Sequence, residues 1–582
     1  MLTFCACTAV QAGKIHPVLA AELQVLNGQD EVSVIVYLTD QQDIHQFKGN
    51  NKKIYRSWLK RSLQDKADKS QKGLKKFLQQ KKGRKITPFW IVNAIAVTLR
   101  ADAIDELTKQ PGVQSVQLDS STSQSQPLAA QTAAPEWNLN AINAPVLWAM
   151  GHTGAGVVVA NMDTGVDGAH QDLITKWRGG SNSWYDPNGE HATPYDKNGH
   201  GTQTMGVMVG GDAGGSAIGV APGASWIAVK LFNDLGMASS SAIHLGFQWL
   251  LDPDGDPNTD DLPDVVNNSW GFGELTNQCF SEFQADIQVL RAAGVAVVFS
   301  AGNNGPNGFT SISPANNQGS LAVGSVDDTL SIAASSSRGP SACDGTIYPE
   351  LVSPGVNIRT ADLTFGGIFP DSYTNVSGTS IAAPHTSGAM ALLLNANPQL
   401  SIDELESSLA QSASDLGGLG WDNDFGNGLV DVEAAYNLIQ SGVGTCADVD
   451  GDGYPGEAGC AVVQDCNDGD PALYPGAVEI RHDAIDQDCN GYDLTIDIIR
   501  ADYRVARDGL VVWAVSGLGL DALLQVDIPG IGLQPMVWSE SRQLWKGVVR
   551  DASLNGYNPD TTGMEITVNG HEGALSATVN TR

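Results

Sequence analysis

The chain has 582 residues, 42 % hydrophobic and 17 % charged, a globular composition at a length that calls for several domains rather than one core. Its net charge of −32 is uneven: residues 1–135 carry 18 Lys/Arg and 11 Asp/Glu, and residues 136–582 carry 15 and 54. So acidic a body excludes nucleic acid as an expected partner, a basic leader would be attracted to it, and no run of 18 apolar residues offers a membrane span.

Residues 1–12 read as the remnant of a signal peptide. Cys5 and Cys7 lie in a short apolar stretch that runs into Val10-Gln11-Ala12-Gly13, a sequence fit for signal peptidase. The stretch lacks a basic start, so Met1 reads as internal to a longer signal, and the expected location is secreted or cell-surface. Residues around Cys7 suit lipid attachment poorly. The other six cysteines (Cys279, Cys343, Cys446, Cys460, Cys466 and Cys489) form an even set, which in an exported protein reads as three disulfides.

Residues 13–119 form a candidate prosegment. Val32 to Leu38 reads as a strand. Residues 54–82 place Trp58, Leu59, Leu63, Ala67, Leu74, Phe77 and Leu78 along one face of a helix and lysines along the other. A strand from Trp90 to Leu99, a short helix from Ala103 to Leu107 and a strand from Val113 to Leu118 complete a small α+β unit. An independent structural domain is the plainer reading, but the basic face and the position favour an inhibitory prosegment, the protein's own partner. Residues 120–135 are polar and uncharged, a linker with nothing to bury.

In residues 136–440, Gly156 to Met162 is a continuous apolar run, as a parallel sheet buried on both faces requires. It ends in Asp163-Thr164-Gly165, at the carboxyl end of the strand, where open α/β sheets hold their active sites. Taken alone, Asp163 reads equally as a turn former. Asn198-Gly199-His200-Gly201-Thr202 puts His200 at the start of a closely packed helix, where a solitary histidine is more often structural. Ala296 to Ser300 is another buried strand. It leads into Ala301-Gly302-Asn303, so an amide side chain stands at a strand end, able to donate to an oxyanion. In Gly378-Thr379-Ser380-Ile381-Ala382-Ala383-Pro384-His385, Ser380 falls in the first turn of a buried helix, among unpaired N–H groups at the positive end of the dipole. An ordinary N-cap explains Gly-Thr-Ser alone. In company with Asp163, His200 and Asn303 it reads as a nucleophile whose own N–H faces an oxyanion.

These four residues, on Asp-Thr-Gly, His-Gly-Thr, Ser-Ala-Gly-Asn and Gly-Thr-Ser-x-Ala-x-Pro-His, resemble the subtilisin-like serine proteases, whose chain order Asp…His…Ser they share. The likeness runs from about Trp137 to Asp431. It is nearest to the bacillopeptidase F-like branch, through Trp137-x-Leu139, Asn267-Asn268-Ser269-Trp270-Gly271 and Ser336-Ser337-Arg338-Gly339-Pro340. The resemblance implies an α/β, parallel-sheet catalytic domain with an Asp163–His200–Ser380 triad and Asn303 as oxyanion donor. It also implies protein or peptide substrates held along Ser269, Trp270, Gly271 and Gly302, with Asn268 to Gly271 as an edge strand that pairs with substrate backbone. No catalytic cofactor is implied, and the prosegment would be removed autocatalytically. Two rivals remain. A catalytically inactive surface adhesion or binding protein would retain the fold but has no need of His200 or Asn303. A processing protease with a narrow motif would need an acidic pocket, and none is legible.

Asp252 to Asp261 is an acidic loop that reads as solvated, with a shared calcium as its alternative. Cys279 and Cys343 flank the strand before Asn303 and are the expected pair there. Residues 441–495 are rich in Cys and Asp. Asp448, Asp450 and Asp452 alternate ahead of Gly453 as in a calcium loop, but Gly459 stands where an EF-hand would place its closing acid. Asp465, Asn467 and Asp470, then Asp486, Asp488, Asn490 and Asp493, repeat the same chemistry. With Tyr474-Pro475-Gly476-Ala477 between them, the segment resembles the small disulfide-linked metal-binding repeats of bacterial surface proteins. Structural Ca2+ is the expected cofactor, and a plain acidic spacer is the alternative. From 496 to 582, short alternating runs separated by Gly, Asp and Asn predict an all-β sandwich of about seven strands, with nothing catalytic in it.

Overall fold

In the computed structural model of this chain, residues 13–44, 52–123, 128–129, 137–364, 372–418 and 420–441 are described, together with 466–467, 473, 480–483, 485–487, 489, 493–505, 508–518, 522–528, 532–539, 542–550, 565–570 and 573–581. The expectations for residues 1–12, for Cys446 and Cys460, and for Asp448, Asp450, Asp452, Asp465, Asp470, Asp488 and Asn490 lie outside the described residues. The chain divides into two units, Met1–Gly442 and Val443–Arg582.

The first unit begins with β1 (Lys14–Ile15), α1 (Pro17–Val25), β2 (Glu31–Leu38), α2 (Lys52–Gln80), β3 (Arg84–Phe89), β4 (Ala94–Arg100), α3 (Ile104–Thr108) and β5 (Val113–Leu118). The strands form one sheet in the order β1-β5-β2-β4-β3. The long amphipathic helix α2 buries Leu59, Leu63, Ala67, Leu74 and Leu78 as its period requires. Trp58 does not join them and is 62 % exposed, because it sits one residue off that stripe. The expected strand from Trp90 to Leu99 is two elements. Strand β3 ends at Phe89, and a turn ending at Asn93, with φ 37°, precedes β4. Periodicity cannot register such a turn, because Ile91 and Val92 are as buried as strand residues.

The stretch beyond Asp119 is not a free linker. Strand β6 (Ser121–Ser123) and β7 (Leu128–Ala129) both pair with the body, and Thr122 is only 3 % exposed. Backbone N–H and C=O groups pair whatever the side chains are, so a polar composition did not preclude it.

The body continues through α4 (Trp137–Ala141), α5 (Ala144–Ala149), β8 (Val158–Asp163), β9 (Trp184–Tyr185), α6 (His200–Val209), β10 (Ser225–Lys230), β11 (Met237–Ser239), α7 (Ser240–Leu251), β12 (Val265–Asn268), α8 (Gln284–Ala292), β13 (Ala296–Ser300), β14 (Leu321–Val326), β15 (Leu351–Pro354), β16 (Ile358–Ala361), β17 (Tyr373–Ser377), α9 (Thr379–Ala396), α10 (Ile402–Gln411) and α11 (Val432–Gln440). Seven strands make a parallel sheet in the order β15-β14-β13-β12-β8-β10-β9. Each strand buries both faces. Val159, Ala228 and Val298 pack on the layer that holds α6 and α9, whereas Ala160, Val229 and Phe299 pack on the layer that holds α7 and α8. This second core also takes Ile35, Leu59, Leu63 and Phe89 of the leader, so leader and body share one apolar cluster. As expected, a disulfide joins Cys279 to Cys343.

The second unit holds β18 (Asp497–Arg504), β19 (Gly509–Val515), β20 (Gln525–Ile528), β21 (Gly532–Pro535), β22 (Val537–Ser539), β23 (Leu544–Arg550), β24 (Glu565–Gly570), β25 (Gly573–Thr578) and β26 (Asn580–Thr581). They form two sheets, β22-β23-β19-β18-β26 and β21-β20-β24-β25, around a core that includes Leu510, Val512, Val526, Trp545, Ile566 and Val568. Cys466 and Cys489 are disulfide-bonded ahead of them.

Candidate active site

Strand β8 delivers Asp163, fully buried, to the carboxyl end of the sheet, and α6 opens with His200 beside it. The close approach depends on Gly201, where a Cβ would lie 2.1 Å from the Gly165 carbonyl oxygen. His200 Nδ1 meets both Asp163 oxygens, at 2.8 and 3.0 Å. A carboxylate can only accept, so Nδ1 carries the proton and Nε2 is left as the basic nitrogen. The Thr164 N–H donates to Asp163 Oδ1 at 2.7 Å and fixes the carboxylate. Burial of the imidazole works against its charge, but the Asp163 carboxylate, its hydrogen bond and nearby Asp196 outweigh that effect. The His200 pKa is therefore raised above the ordinary histidine value.

Ser380 sits in the first turn of α9, behind Gly378, whose φ is 145°. Its Oγ donates to the Ser269 carbonyl at 3.3 Å. Helices α6 and α9 pack on each other, which brings the two motifs into one neighbourhood from 180 positions apart in sequence. Asn303 follows β13. Its Oδ1 accepts from the Thr379 N–H and Oγ1–H, both at 3.0 Å. Because a backbone N–H can only donate, the atom facing it is the oxygen, and the amide NH2 is directed elsewhere as a donor. Gly302, with φ 100°, donates its N–H to Thr379 Oγ1 at 3.1 Å.

Residues 269–271 do not form an edge strand. They follow β12, an interior strand flanked by β13 and β8. Ser269 and Trp270 are buried, Trp270 against Phe247, Phe272, Phe283 and Phe299. A strand that does accept a partner at the site went unread in the sequence, because Met237 to Ser239 has no apolar period. It is β11, which pairs antiparallel with β6, just past the leader, in the register Met237↔Ser123 and Ser239↔Ser121. On the other side of Ser380, Leu128 pairs with Ser377, three residues before it. A cavity of about 310 Å³ beside Thr164 and Asn198 is lined in part by Ser123, Lys230 and Asp234. Asp119 closes the leader onto the body. It accepts from Ser241 N–H at 3.0 Å and Oγ–H at 2.9 Å, at the N-terminus of α7.

The acidic loop is not simply solvated. Asp252 receives the Lys60 ammonium of α2 at 2.9 Å, with the two side chains 1 % and 0 % exposed. Lys60 also donates to the Thr259 carbonyl at 3.0 Å, and Arg56 pairs with Asp260 at 2.9 Å. In the second unit, Asn467, Asp486 and Asp493 supply oxygen donors within and just beyond the segment closed by Cys466 and Cys489. Carboxylate and amide oxygens are the donor set of a hard cation.

A model of the subtilase family matches residues 154–428, and a model described as a metal-binding motif matches residues 465–493. Subtilisin E of Bacillus subtilis (strain 168) is 32 % identical over 365 residues, which are 62 % of this chain and 85 % of that protein. The chain belongs to the subtilase family. It is a serine-type hydrolase by that membership. Bacillopeptidase F of the same strain is 37 % identical over 426 residues, 67 % of this chain but only 29 % of that longer protein. Alkaline protease of Shouchella clausii is 30 % identical over 350 residues, 60 % of this subtilase and 80 % of that enzyme. No helix among the described residues of this subtilase is long and apolar enough to cross a membrane.

Proposed function

We propose that this subtilase is a secreted or cell-surface serine endopeptidase, made as a zymogen and matured by its own active site. Ser380 Oγ attacks the scissile carbonyl, and His200 Nε2 takes its proton and later gives it to the leaving amine. Asp163 holds the imidazole in the required tautomer and stabilises its charged form. Asn303 Nδ2 and the Ser380 N–H donate to the tetrahedral oxyanion. Substrate backbone pairs with β11 as in strand addition, and Ser269, Trp270, Gly271 and Gly302 bound its other side without pairing as a strand.

The observation that carries this reading is the leader's path. Just past residue 119, β6 occupies the β11 edge, and β7 lies against the residues just before Ser380. The leader, residues 13–119, is thus an inhibitory prosegment held like a substrate, and the bond cut in maturation falls after Ser123 and before Leu128. Mass spectrometry of purified wild type beside Ser380→Ala tests this. The wild type should begin within that window, and Ser380→Ala should remain unprocessed. Normal maturation of Ser380→Ala in a protease-deficient host refutes self-processing.

The Cys/Asp-rich segment, residues 441–495, would bind structural Ca2+ through Asp448, Asp450 and Asp452, and through Asp465, Asn467, Asp470, Asp486, Asp488, Asn490 and Asp493. The matched motif supports a metal of some kind at residues 465–493, and the oxygen-only donor set is what favours calcium over softer metals.

A further inference from the structure

Side chains alternate along the five-stranded sheet of the second unit. Ala501, Tyr503, Leu510, Val512, Ala514 and Trp545 point into the core. The opposite face therefore presents Arg500, Asp502 and Arg504 from β18, Val511 and Trp513 from β19, and Lys546, Val548 and Arg550 from β23. The register places Arg500 directly across from Trp513, and Trp513 across from Lys546. The guanidinium groups of Arg500 and Arg542 both lie over the Trp513 ring, at 5.1 and 4.9 Å. Five cations thus share this face, out of only seven Lys/Arg in residues 496–582. Among the described residues, the two acids on or beside this face are already engaged. Asp502 is 1 % exposed and paired with Arg500, and Asp497, at the margin, pairs with Arg481 at 2.9 Å.

In a chain of net charge −32, such a segregation of positive charge needs a reason. It is unrelated to proteolysis and lies outside the metal-binding motif. We propose that this face binds a linear acidic polysaccharide, through carboxylate or sulfate groups spaced along the polymer. The strand geometry sets the cations about 10 Å apart across the sheet and about 13 Å apart along it, an open and flat array rather than a pocket. Stacking on Trp513 restrains both guanidinium groups, Arg500 is held further by Asp502, and exposed Arg542 is the one offered to a planar anionic group. Val537 and Val548, 69 % and 47 % exposed, supply apolar ground between the charges for the faces of sugar rings. Nucleic acid fits less well, since single strands are held by stacking bases on open aromatic rings and Trp513 is covered. A lipid surface fits less well too, because among its described residues the face carries no exposed aromatic side chain to insert.

The test uses the full chain with its serine blocked by a sulfonyl fluoride. Retention on dextran sulfate beads is compared with retention on neutral dextran, for wild type and for the triple variant Arg542→Glu, Lys546→Glu and Arg550→Glu. All three residues are exposed, and Arg500 is left in place so that buried Asp502 keeps its partner. Wild type should bind only the sulfated polymer, more weakly as salt rises, and the triple variant should bind at least about tenfold less. A matching triple Gln variant with an unchanged melting curve should lie between them, which separates lost charge from lost fold. Four outcomes overturn the proposal: no retention of wild type; equal retention of the triple Glu variant, which would assign binding to the leader lysines; tighter binding to anionic lipid vesicles than to dextran sulfate; or a concentration-dependent dimer that the triple Glu variant abolishes.

Discussion

Ser269 Oγ donates to the Ser380 carbonyl at 2.7 Å, filling a place that Pro384 leaves vacant. In a regular helix that carbonyl would accept from the N–H four residues on, and proline has none. Asn267 Nδ2 in turn donates to Ser269 Oγ at 2.9 Å, so the hydroxyl proton is directed at Ser380. The backbone of the nucleophile is thereby tied to the end of β12. Ser269 is a positioning residue rather than a catalytic one.

Ser269→Ala should therefore leave a buried carbonyl unsatisfied, at a cost of about 1–3 kcal/mol. We expect a lower melting temperature and a fall in kcat with KM nearly unchanged. Rescue by Ser269→Thr would separate the hydroxyl from the packing. Unchanged kcat in Ser269→Ala would remove the positioning role.

Asn303→Leu should lower kcat by roughly 10²–10³ with little effect on KM, since the lost donor matters only when charge develops on the substrate oxygen, and should lower the melting temperature somewhat because Thr379 loses its acceptor. Steady-state kinetics on a peptide amide substrate measures this. A fall confined to KM would assign Asn303 to ground-state binding instead.

Activity requires neutral His200, and its pKa is raised by Asp163 and Asp196 despite burial. The protonated, inactive form therefore persists to higher pH than in a free histidine, and the acid limb of kcat/KM should have its midpoint above about 6.5. Asp196→Asn should move that midpoint down. A pH–rate profile with its acid limb at or below the free value contradicts the electrostatics.

The Lys60–Asp252 pair is shielded from water, so breaking it strands a buried charge, at a cost of about 3–5 kcal/mol. A peptide covering residues 25–119 should inhibit the mature enzyme in trans, and Lys60→Met in that peptide should raise the inhibition constant by at least about a hundredfold. Salt should weaken inhibition only modestly, because this pair is screened far less than exposed ones such as Lys69–Asp65. Absence of inhibition at micromolar peptide would sink the prosegment assignment.

Calcium should raise the melting temperature of the second unit. Binding to the folded form alone adds about 2.7 kcal/mol at a hundredfold excess over the dissociation constant. Differential scanning calorimetry of the full chain, with calcium and with chelator, should show one transition shifting while that of the protease part stays. Superimposable scans would leave the acidic repeats as a spacer.

Much of this was legible before folding. Val158 to Asp163 and Ala296 to Ser300 announced buried parallel strands because both faces of such a strand must be apolar, and their ends carried Asp163 and Asn303 to one edge of the sheet. His200 and Ser380 were legible as helix starts through the glycines beside them. Folding alone determined the partners of polar segments. Ser121 to Ser123 reads as linker, yet it pairs with Met237 to Ser239, and Lys60 reads as solvated, yet it is buried in the acidic loop. Side-chain pattern reports which face of an element is dry. It carries no record of which N–H meets which C=O across 116 residues, or of which ammonium a distant carboxylate will enclose, because those choices are made by the packing of the whole unit.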